Sequence, residues 1–357
     1  MNNKIRAFVV DDSAFVVASV IKKLQTDSEI EVVGSARDGK EALEKIRILK
    51  PDVITLDIVM PEMDGLSVLQ HIMSEYPIPV VMLSALTSEG ADITIKALEL
   101  GAVDFFLKPS TLRPVGSDDT DRTLIEKVKH AATSKIKFAS LIDNTTSREQ
   151  DREEVSSKDQ SHLPDDCPVI VIGSSTGGPR ALMQLIPALP PGFPAAILIV
   201  QHMPPLFTKS LAERLRQASK IYVSEACAGS TVRTNQALMA PGDYHMLVSK
   251  GHHVILNQEP TVQGVRPSID VTMKSVVEVY GPQTIGVVLT GMGCDGTTGA
   301  SCIKAVGGKI ITQSESTCAV YGMPQSIVKA GYADKILDLN RIAPELTQMC
   351  LVTSESR

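Results

Sequence analysis

Three carboxylates near the start of the chain occur where strands are expected to end. Asp11 and Asp12 follow the apolar run AFVV, and Asp57 follows DVITL. Because the carboxyl ends of parallel strands meet at one edge of a sheet, these side chains are expected to lie together. Carboxylates at such close range repel one another unless a hard cation lies between them, and oxygen ligands suit Mg²⁺. The pattern predicts a magnesium site.

Two later polar residues fit chemistry on a phosphoryl group. Ser84 follows the strand-like PVVML, and Lys108 follows DFFL and precedes Pro109. A hydroxyl and an ammonium at these strand ends would hold the oxygens of a phosphoryl group on Asp57. Any one such aspartate alone is more simply explained as a helix cap or turn residue. The ordered set on alternating strands and helices instead favours a phosphorylation site.

A second set of residues begins with the segment GSSTGG, between the strand-like PVIVI and a helix. It matches G-x-S-x-G with Ser175 at its centre. A serine on such a turn exposes its hydroxyl beside free N–H groups that can stabilise an oxyanion. The competing interpretation is a loop that holds a phosphate, although the segment lacks the lysine of a P-loop and does not match GxGxxG. Both interpretations stay open from this segment alone.

Two more strand ends favour catalysis. His202 follows the strand-like AAILIVQ, and Asp295 lies in GMGCDG after TIGVVLT. A serine hydroxyl needs a base to take its proton, and the base needs a carboxylate to orient it. The chain order Ser…His…Asp differs from that of α/β-hydrolases, so the G-x-S-x-G match does not indicate an ordinary member of that class.

Other reactive residues are weaker candidates. Cys294 precedes the motif aspartate but has no evident base of its own. His245 is a minor site candidate, whereas His252 and His253 are expected to be exposed at a hairpin turn. Asp270 is expected to cap the helix that follows it.

Composition limits the class of protein. The 357 residues suggest two domains and a connector, and the net charge of −6 without a basic tail or stripe excludes a general nucleic-acid or anionic-membrane binder. No apolar run reaches about 18 residues, so membrane insertion is not expected. The start of the chain shows no signal-peptide pattern. Six scattered cysteines without a CxxC pair argue against a zinc or disulfide framework, and we expect a cytoplasmic protein.

The alternation of strand and helix patterns predicts two α/β units. Residues 1–138 are expected to form a (βα)5 domain with a parallel sheet. Residues 139–167 are polar and charged, which predicts a flexible linker. Residues 168–357 are expected to form a doubly wound α/β domain, with a small antiparallel accessory around QALMAPGDYHMLVSKGHHVILNQ.

The order DD…LDIVMPEMDG…S…KP resembles the receiver domain of two-component response regulators, over about residues 1–135. The resemblance implies a phosphorylated aspartate, a Mg²⁺ site and a switching aromatic residue. On this basis Asp57 is the phosphoacceptor, Asp11 and Asp12 hold Mg²⁺, Ser84 and Lys108 contact the phosphoryl oxygens, and Phe105 is at the switching position.

After the receiver, the segments IGSSTGG, QHMPP, APGDYHM, RPSID and LTGMGCDG closely resemble the chemotaxis protein-glutamate methylesterase/glutaminase (CheB) family. The resemblance covers the chain apart from the linker. It implies that Ser175 is the nucleophile, His202 the base and Asp295 its orienting carboxylate. Thr176 and Met292 are implied to support the site.

The family resemblance also implies an activity and its partners. The expected reaction is hydrolysis of glutamate γ-methyl esters on chemoreceptors, with methanol release, and deamidation of particular receptor glutamines. A CheA-type histidine kinase would phosphorylate the receiver, which otherwise covers the catalytic cleft. The alternative is a receiver-controlled phosphate- or nucleotide-binding module without catalysis. A transcription-factor output is excluded because no helix-turn-helix pattern or basic face is visible.

Overall fold

A computed structural model describes residues 4–108, 118–134 and 167–355, with side chains at all of these except 118–122 and 352–355. The predicted linker lies outside the described residues apart from Cys167. The domain boundaries at 138 and 168 therefore stay predictions. Within the described ranges, no helix combines the length and apolar character needed to cross a bilayer.

The first domain is a five-stranded parallel sheet in the order β2-β1-β3-β4-β5, which confirms the predicted (βα)5 arrangement. Its strands are β1 Ile5–Val10, β2 Ile30–Ala36, β3 Val53–Asp57, β4 Val80–Ser84 and β5 Asp104–Leu107. Its helices are α1 Ala14–Leu24, α2 Gly39–Leu49, α3 Gly65–Glu75, α4 Ser88–Glu99 and α5 Asp118–Thr133.

Helices cover both faces of this sheet, and β1 shows why its sequence is apolar throughout. Ala7 and Val9 pack on the face that includes Leu124 of α5, whereas Phe8 and Val10 pack into a separate cluster on the other face. A strand that is buried on both sides has no solvent-facing position for a polar side chain.

Separate residues cap the receiver helices. Ser13, Asp38, Asp64 and Thr87 each accept a hydrogen bond from a backbone N–H in the first turn of α1 to α4. None of these caps belongs to the predicted magnesium or phosphoryl site. The explanation as helix caps therefore does not apply to Asp11, Asp12 or Asp57, although Asp11 Oδ1 accepts from the N–H of Ser13 at 3.0 Å.

The second domain has a seven-stranded parallel sheet in the order β14-β13-β12-β6-β7-β9-β8, with an antiparallel pair β10-β11 beside it. The strands are β6 Val169–Ser174, β7 Ala196–Gln201, β8 Tyr222–Glu225, β9 Gln236–Met239, β10 His245–Val248, β11 Val254–Asn257, β12 Thr284–Val288, β13 Lys309–Gln313 and β14 Lys335–Leu337. The helices are α6 Gly178–Leu185, α7 Phe207–Ala218, α8 Ile269–Tyr280, α9 Thr297–Ala305, α10 Met323–Lys329 and α11 Leu339–Glu355.

This arrangement confirms a doubly wound domain with a small antiparallel accessory. Along β6, Val169 and Val171 pack in the cluster that contains α8 residues, and Ile170 and Ile172 pack in the cluster on the opposite face. The first part of the predicted accessory differs from the hairpin that follows it. Residues 236–239 form β9, which pairs in parallel with β7 and β8. Its apolar residues are buried within the main sheet, where an accessory hairpin would leave them exposed.

The two domains pack together through α4 and β5 of the receiver. Glu99 accepts two hydrogen bonds from the guanidinium of Arg214 on α7, at 2.6 and 2.7 Å. The rings of Phe105 and Phe207 stack with their centroids 4.6 Å apart and their planes 6° apart. One apolar cluster runs from the receiver into the catalytic domain across this contact. The receiver therefore docks through an apolar centre flanked by charged groups.

Candidate active site

The catalytic candidates lie at the carboxyl edge of the second sheet. Ser175 follows β6, His202 follows β7, and Asp295 lies in the loop after β12. These strands are neighbours in the order β12-β6-β7, and successive connections leave β6 and β12 in opposite directions. The crevice at such a reversal is where open α/β sheets place their sites.

The turn that carries Ser175 is held by hydrogen bonds to its own backbone. Its N–H donates to the carbonyl of Thr290 (3.0 Å), and its carbonyl accepts from the side-chain amide of Gln201 (3.0 Å). Gly177 has φ +77°, and a Cβ on Gly178 would lie 2.1 Å from Gln201 Oε1, so neither position accommodates another residue without strain. The turn is rigid, whereas the Ser175 hydroxyl makes no hydrogen bond with any described residue.

His202 and Asp295 form a direct pair. His202 Nε2 lies 2.8 Å from Asp295 Oδ2, and the Asp295 side chain is only 3% exposed. Ser175 and His202 line one cavity of about 20 Å³, although no hydrogen bond joins them in the described chain. The structure thus brings all three candidates to one crevice, with the imidazole of His202 oriented towards Asp295 and the hydroxyl of Ser175 unbonded.

Asp295 is stabilised in its ionised form. Its oxygens accept from the N–H groups of Ile269 (2.7 Å) and Asp270 (3.0 Å) and from the hydroxyl of Ser268 (2.9 Å). Burial raises the pKa of Asp295, but the hydrogen bond and electrostatic attraction of the His202 ring, together with these amides, outweigh burial and leave the pKa below its ordinary value. The carboxylate also lies at the positive end of α8.

The first turn of α8 differs from the prediction. Ser268 is the N-cap residue, but its side chain makes no capping bond because it donates to Asp295. The expectation that Asp270 caps this helix is wrong, since Asp270 lies inside the first turn and accepts from the N–H of Gly299 (2.7 Å). A serine before the apolar pattern of α8 was the available sequence signal for Ser268.

The remaining histidines and Cys294 lie outside the catalytic pair. His245 is buried, and its Nδ1 accepts from the N–H of Ser268 at 3.2 Å, so it supports the loop behind Asp295. His252 is partly buried against Tyr280, which contradicts its expected exposure, whereas His253 is exposed. The thiol of Cys294 donates to a glutamine oxygen and faces no base.

The loop that contains Met292 packs against the nucleophile turn. A Cβ on the preceding Gly291 would lie 2.7 Å from Ser175 Cβ, which places this loop in contact with the serine. Met292 itself is partly buried. Thr176, the other supporting candidate, directly follows the serine and is 7% exposed.

The receiver reaches into this site. Thr176 Oγ1 donates to Asp104 Oδ2 at 2.6 Å, and Lys127 pairs with the other Asp104 oxygen at 2.7 Å. Asp104, Phe105 and Lys127 share the small cavity with the two catalytic candidates. Sequence reasoning missed Asp104, because a contact between residues so distant in the chain leaves no local pattern.

The predicted magnesium residues meet at the receiver edge. One carboxylate oxygen from each of Asp11, Asp12 and Asp57 lies within 4.8 Å of the others. Lys108 Nζ pairs with Asp11 (2.8 Å) and Asp57 (2.7 Å). Asp57 Oδ2 is buried and has no hydrogen-bond partner among the described residues. Asp11 Oδ2 is also buried without a hydrogen-bond partner, although it lies beside Lys108, and an all-oxygen set with such unsatisfied oxygens fits a Mg²⁺ site.

The surroundings of Asp57 and Ser84 also affect the chemistry available at the receiver site. Burial raises the pKa of Asp57, and the hydrogen bond and charge of Lys108 only partly oppose that rise. Ser84 is buried at the neighbouring strand end, where its hydroxyl accepts from Thr94 Oγ1 at 2.8 Å. The Ser84 hydroxyl is therefore engaged by α4 in this conformation.

Replacing Ser268 by alanine tests the support of Asp295. The pKa of Asp295 is expected to rise, because its ionised form loses a donor, and the free energy of unfolding at pH 7 is expected to fall by about 1.5–3 kcal/mol. The folded pKa lies below the ordinary value of 3.8. The stabilisation is therefore present above pH 3.8 and is lost as the pH falls further.

Carbon-13 NMR of labelled aspartate carboxyls and chemical denaturation at several pH values measure both effects. Ser275→Ala is the matched control for the titration, since Ser275 lies on the same helix but bonds the carbonyl of Thr272 and the N–H of Val248 and not Asp295. An Asp295 titration unchanged by Ser268→Ala would contradict this assignment.

Comparison with known families covers both domains. Residues 7–115 match the response regulator receiver domain, and residues 170–346 match the CheB methylesterase family. The crystal structure of the Thermotoga maritima CheB methylesterase catalytic domain is 45% identical, with a TM-score of 0.50 over 51% of this chain and 98% of that chain.

Two curated relatives match this chain over nearly the whole length of both sequences. The protein-glutamate methylesterase/protein-glutamine glutaminase of Symbiobacterium thermophilum is 47% identical over 349 residues, which cover 96% of each chain. The protein of the same name from Pyrococcus horikoshii is 44% identical over 345 residues, 96% of this chain and 92% of that one. The chain therefore belongs to the CheB family of protein-glutamate methylesterases/protein-glutamine glutaminases with a response regulator receiver domain.

Proposed function

We propose that this chain hydrolyses glutamate γ-methyl esters on chemoreceptors, with release of methanol, and deamidates specific receptor glutamines. This activity would adjust receptor sensitivity during chemotaxis. The observation that carries the proposal is the buried His202–Asp295 pair beside an unbonded serine hydroxyl at the switch point of the sheet. Family membership supports the same activity. The expected place of action is the cytoplasm, beside the receptors' methyl-ester sites.

In the proposed reaction, Ser175 Oγ attacks the γ-carbonyl carbon and His202 takes the serine proton. The carboxylate of Asp295 stabilises the resulting imidazolium, and the depressed pKa of Asp295 keeps it ionised at neutral pH. His202 then protonates the departing methanol, or ammonia from a glutamine. Water activated by the same histidine releases the glutamyl group from the serine. Positioned acid–base groups typically contribute about 10²–10⁴ to the rate.

The developing oxyanion needs fixed donors. The N–H of Ser175 is already bonded to Thr290, so it is not a suitable donor in this conformation. The N–H groups of Thr176, Gly177 and Met292 have no hydrogen-bond partner among the described residues. We assign the supporting roles of Thr176 and Met292 to these backbone groups.

Control of the activity is proposed to lie in the receiver. A CheA-type histidine kinase would phosphorylate Asp57, and the residues Asp11, Asp12 and Asp57 would hold Mg²⁺. When bound, Mg²⁺ supplies positive charge to the transferring phosphoryl group. Lys108 already contacts Asp57, whereas the Ser84 hydroxyl would have to turn away from the carbonyls of Ala85 (3.3 Å) and Gly90 (3.4 Å) to donate to a phosphoryl oxygen. That exchange of partners would loosen the packing of α4.

Inhibition by the docked receiver follows from the size of the catalytic cavity. With Asp104 bonded to Thr176, the cavity that Ser175 and His202 share with the receiver is about 20 Å³, which is enough for about one water molecule. A glutamyl methyl ester on a receptor helix does not fit there. Activation therefore requires the receiver to move away from the catalytic domain, and phosphorylation would shift that equilibrium.

Replacing Ser175 by alanine is expected to lower methanol release at least about 10³-fold, because the reaction loses its nucleophile. The assay follows methanol from receptor membranes that carry labelled methyl esters, with Mg²⁺ and a small phosphodonor present. Ser224→Ala, on the edge strand β8, is the matched control and should retain full release. Wild-type turnover by Ser175→Ala would contradict the nucleophile assignment.

Replacing Asp57 by alanine is expected to abolish the rise in methanol release that a phosphodonor causes, because no carboxylate remains to accept the phosphoryl group. Release is measured with and without phosphodonor in the same membranes. Glu44→Ala removes an exposed carboxylate of α2 and should keep the rise. A response that persists in Asp57→Ala would place the phosphoacceptor elsewhere.

Charge exchange across the domain contact tests inhibition by docking. Glu99→Arg places two cations together at the contact with Arg214 and is expected to raise unstimulated methanol release about five- to tenfold. The double variant Glu99→Arg/Arg214→Glu restores an opposite-charge pair and should return release towards the wild-type level. Equal release by the single and double variants would show that the pair does not hold the inhibited state.

A further inference from the structure

A second and larger cavity lies beside the nucleophile turn. Its volume is about 330 Å³, and Gly177 borders both this cavity and the small one that contains the serine. The catalytic domain forms most of its wall, including Arg180, Thr317 and Asn340, and residues 101–103 of the receiver cover it. Departure of the receiver, as proposed above, would open this cavity into a groove beside the catalytic crevice.

Arg180 places in this cavity a positive charge that is not paired with any described residue. Its guanidinium makes no hydrogen bond or ion pair with any described residue, although the side chain is partly buried. Burial lowers the pKa of Arg180, and no neighbouring acid opposes that shift. The carboxylate of Asp338 also lines the cavity and keeps its charge, but it accepts from the hydroxyls of Ser314 and Ser316 and makes no ion pair with Arg180. Partly desolvated charges are usually paired, so this one is suited to an incoming anion.

We infer that Arg180 binds a carboxylate of the substrate protein next to the esterified glutamate, and so selects esters with an acidic neighbour. This inference rests on the proposed methylesterase function and extends it to sequence specificity. A methyl ester is neutral, so the charge that Arg180 recognises must come from a second acidic side chain. A guanidinium matches a carboxylate through two parallel N–H···O bonds, which makes the recognition directional.

Arg180 lies outside the cavity in which the ester is proposed to react, so substrate selection by Arg180 is distinct from catalysis. The residue lies in the first turn of α6, three residues beyond the turn glycine Gly177, and it does not line the cavity shared by Ser175 and His202. It is therefore a specificity-determining residue, whose effect depends on the neighbour of the ester and not on the ester itself.

The test uses the full chain, activated with Mg²⁺ and a small phosphodonor, on three receptor-derived peptides. Each peptide carries one glutamate γ-methyl ester, and they differ only in whether a neighbouring residue is Glu, Gln or Lys. Methanol release gives kcat/KM for each peptide. The wild-type chain is expected to prefer the Glu peptide over the Gln peptide roughly tenfold, mainly through KM.

Substitutions of Arg180 test the inferred substrate preference directly. Arg180→Gln should reduce the preference for Glu to about one, and Arg180→Glu should prefer the Lys peptide. Lys220→Gln removes one positive charge before β8, at the opposite edge of the sheet, and should retain the wild-type preference. An unchanged Glu preference in Arg180→Gln, or an equal loss on all three peptides, would overturn the inference. Failure of the wild-type chain to hydrolyse any peptide would instead overturn the proposed function itself.

Discussion

The buried negative charge of Asp295 is the constraint on which the catalytic domain is built. A carboxylate that is 3% exposed needs several donors, and the chain supplies them from the first turn of α8, from Ser268 and from His202. These donors fix where α8 begins and how the loop after β12 returns to the sheet. The imidazole of His245 accepts a hydrogen bond from the backbone N–H of Ser268 and so fixes its position. The orientation of the histidine is thus a consequence of how the charge is stabilised.

Both domains gather their candidate site residues at one edge of a parallel sheet, but the charges at the two edges are stabilised differently. In each, a parallel sheet brings residues that are distant in the chain to one carboxyl edge. The receiver edge gathers Asp11, Asp12 and Asp57 and leaves an oxygen unsatisfied, which suits a cation that is not always present. The catalytic edge keeps its charge fully hydrogen-bonded and leaves only a hydroxyl unbonded. The receiver edge is thus suited to gaining or losing a cation, whereas the catalytic edge is suited to keeping a constant negative charge.

Sequence patterns were sufficient for the alternation of strands and helices and for the residues at the strand ends, because those depend on local periodicity and turn chemistry. Asp57, Ser175 and His202 were each found from the strand before them. The contact between Asp104 and Thr176 was not found, since it joins residues of two domains. The wrong assignment of Asp270 as the cap of α8 has a similar cause. The carboxylate of Asp295, which comes from a remote loop, accepts from the first N–H groups of α8 in place of a local side chain.

The bond between the receiver and Thr176 has a chemical feature in addition to the proposed steric exclusion. Asp104 presents a side-chain carboxylate to the hydroxyl of the residue that follows the proposed nucleophile Ser175. A side-chain carboxylate is also what ester hydrolysis and deamidation leave behind on a glutamyl residue. In the docked state the catalytic domain therefore holds, within its own chain, a group that imitates the end product of its reaction.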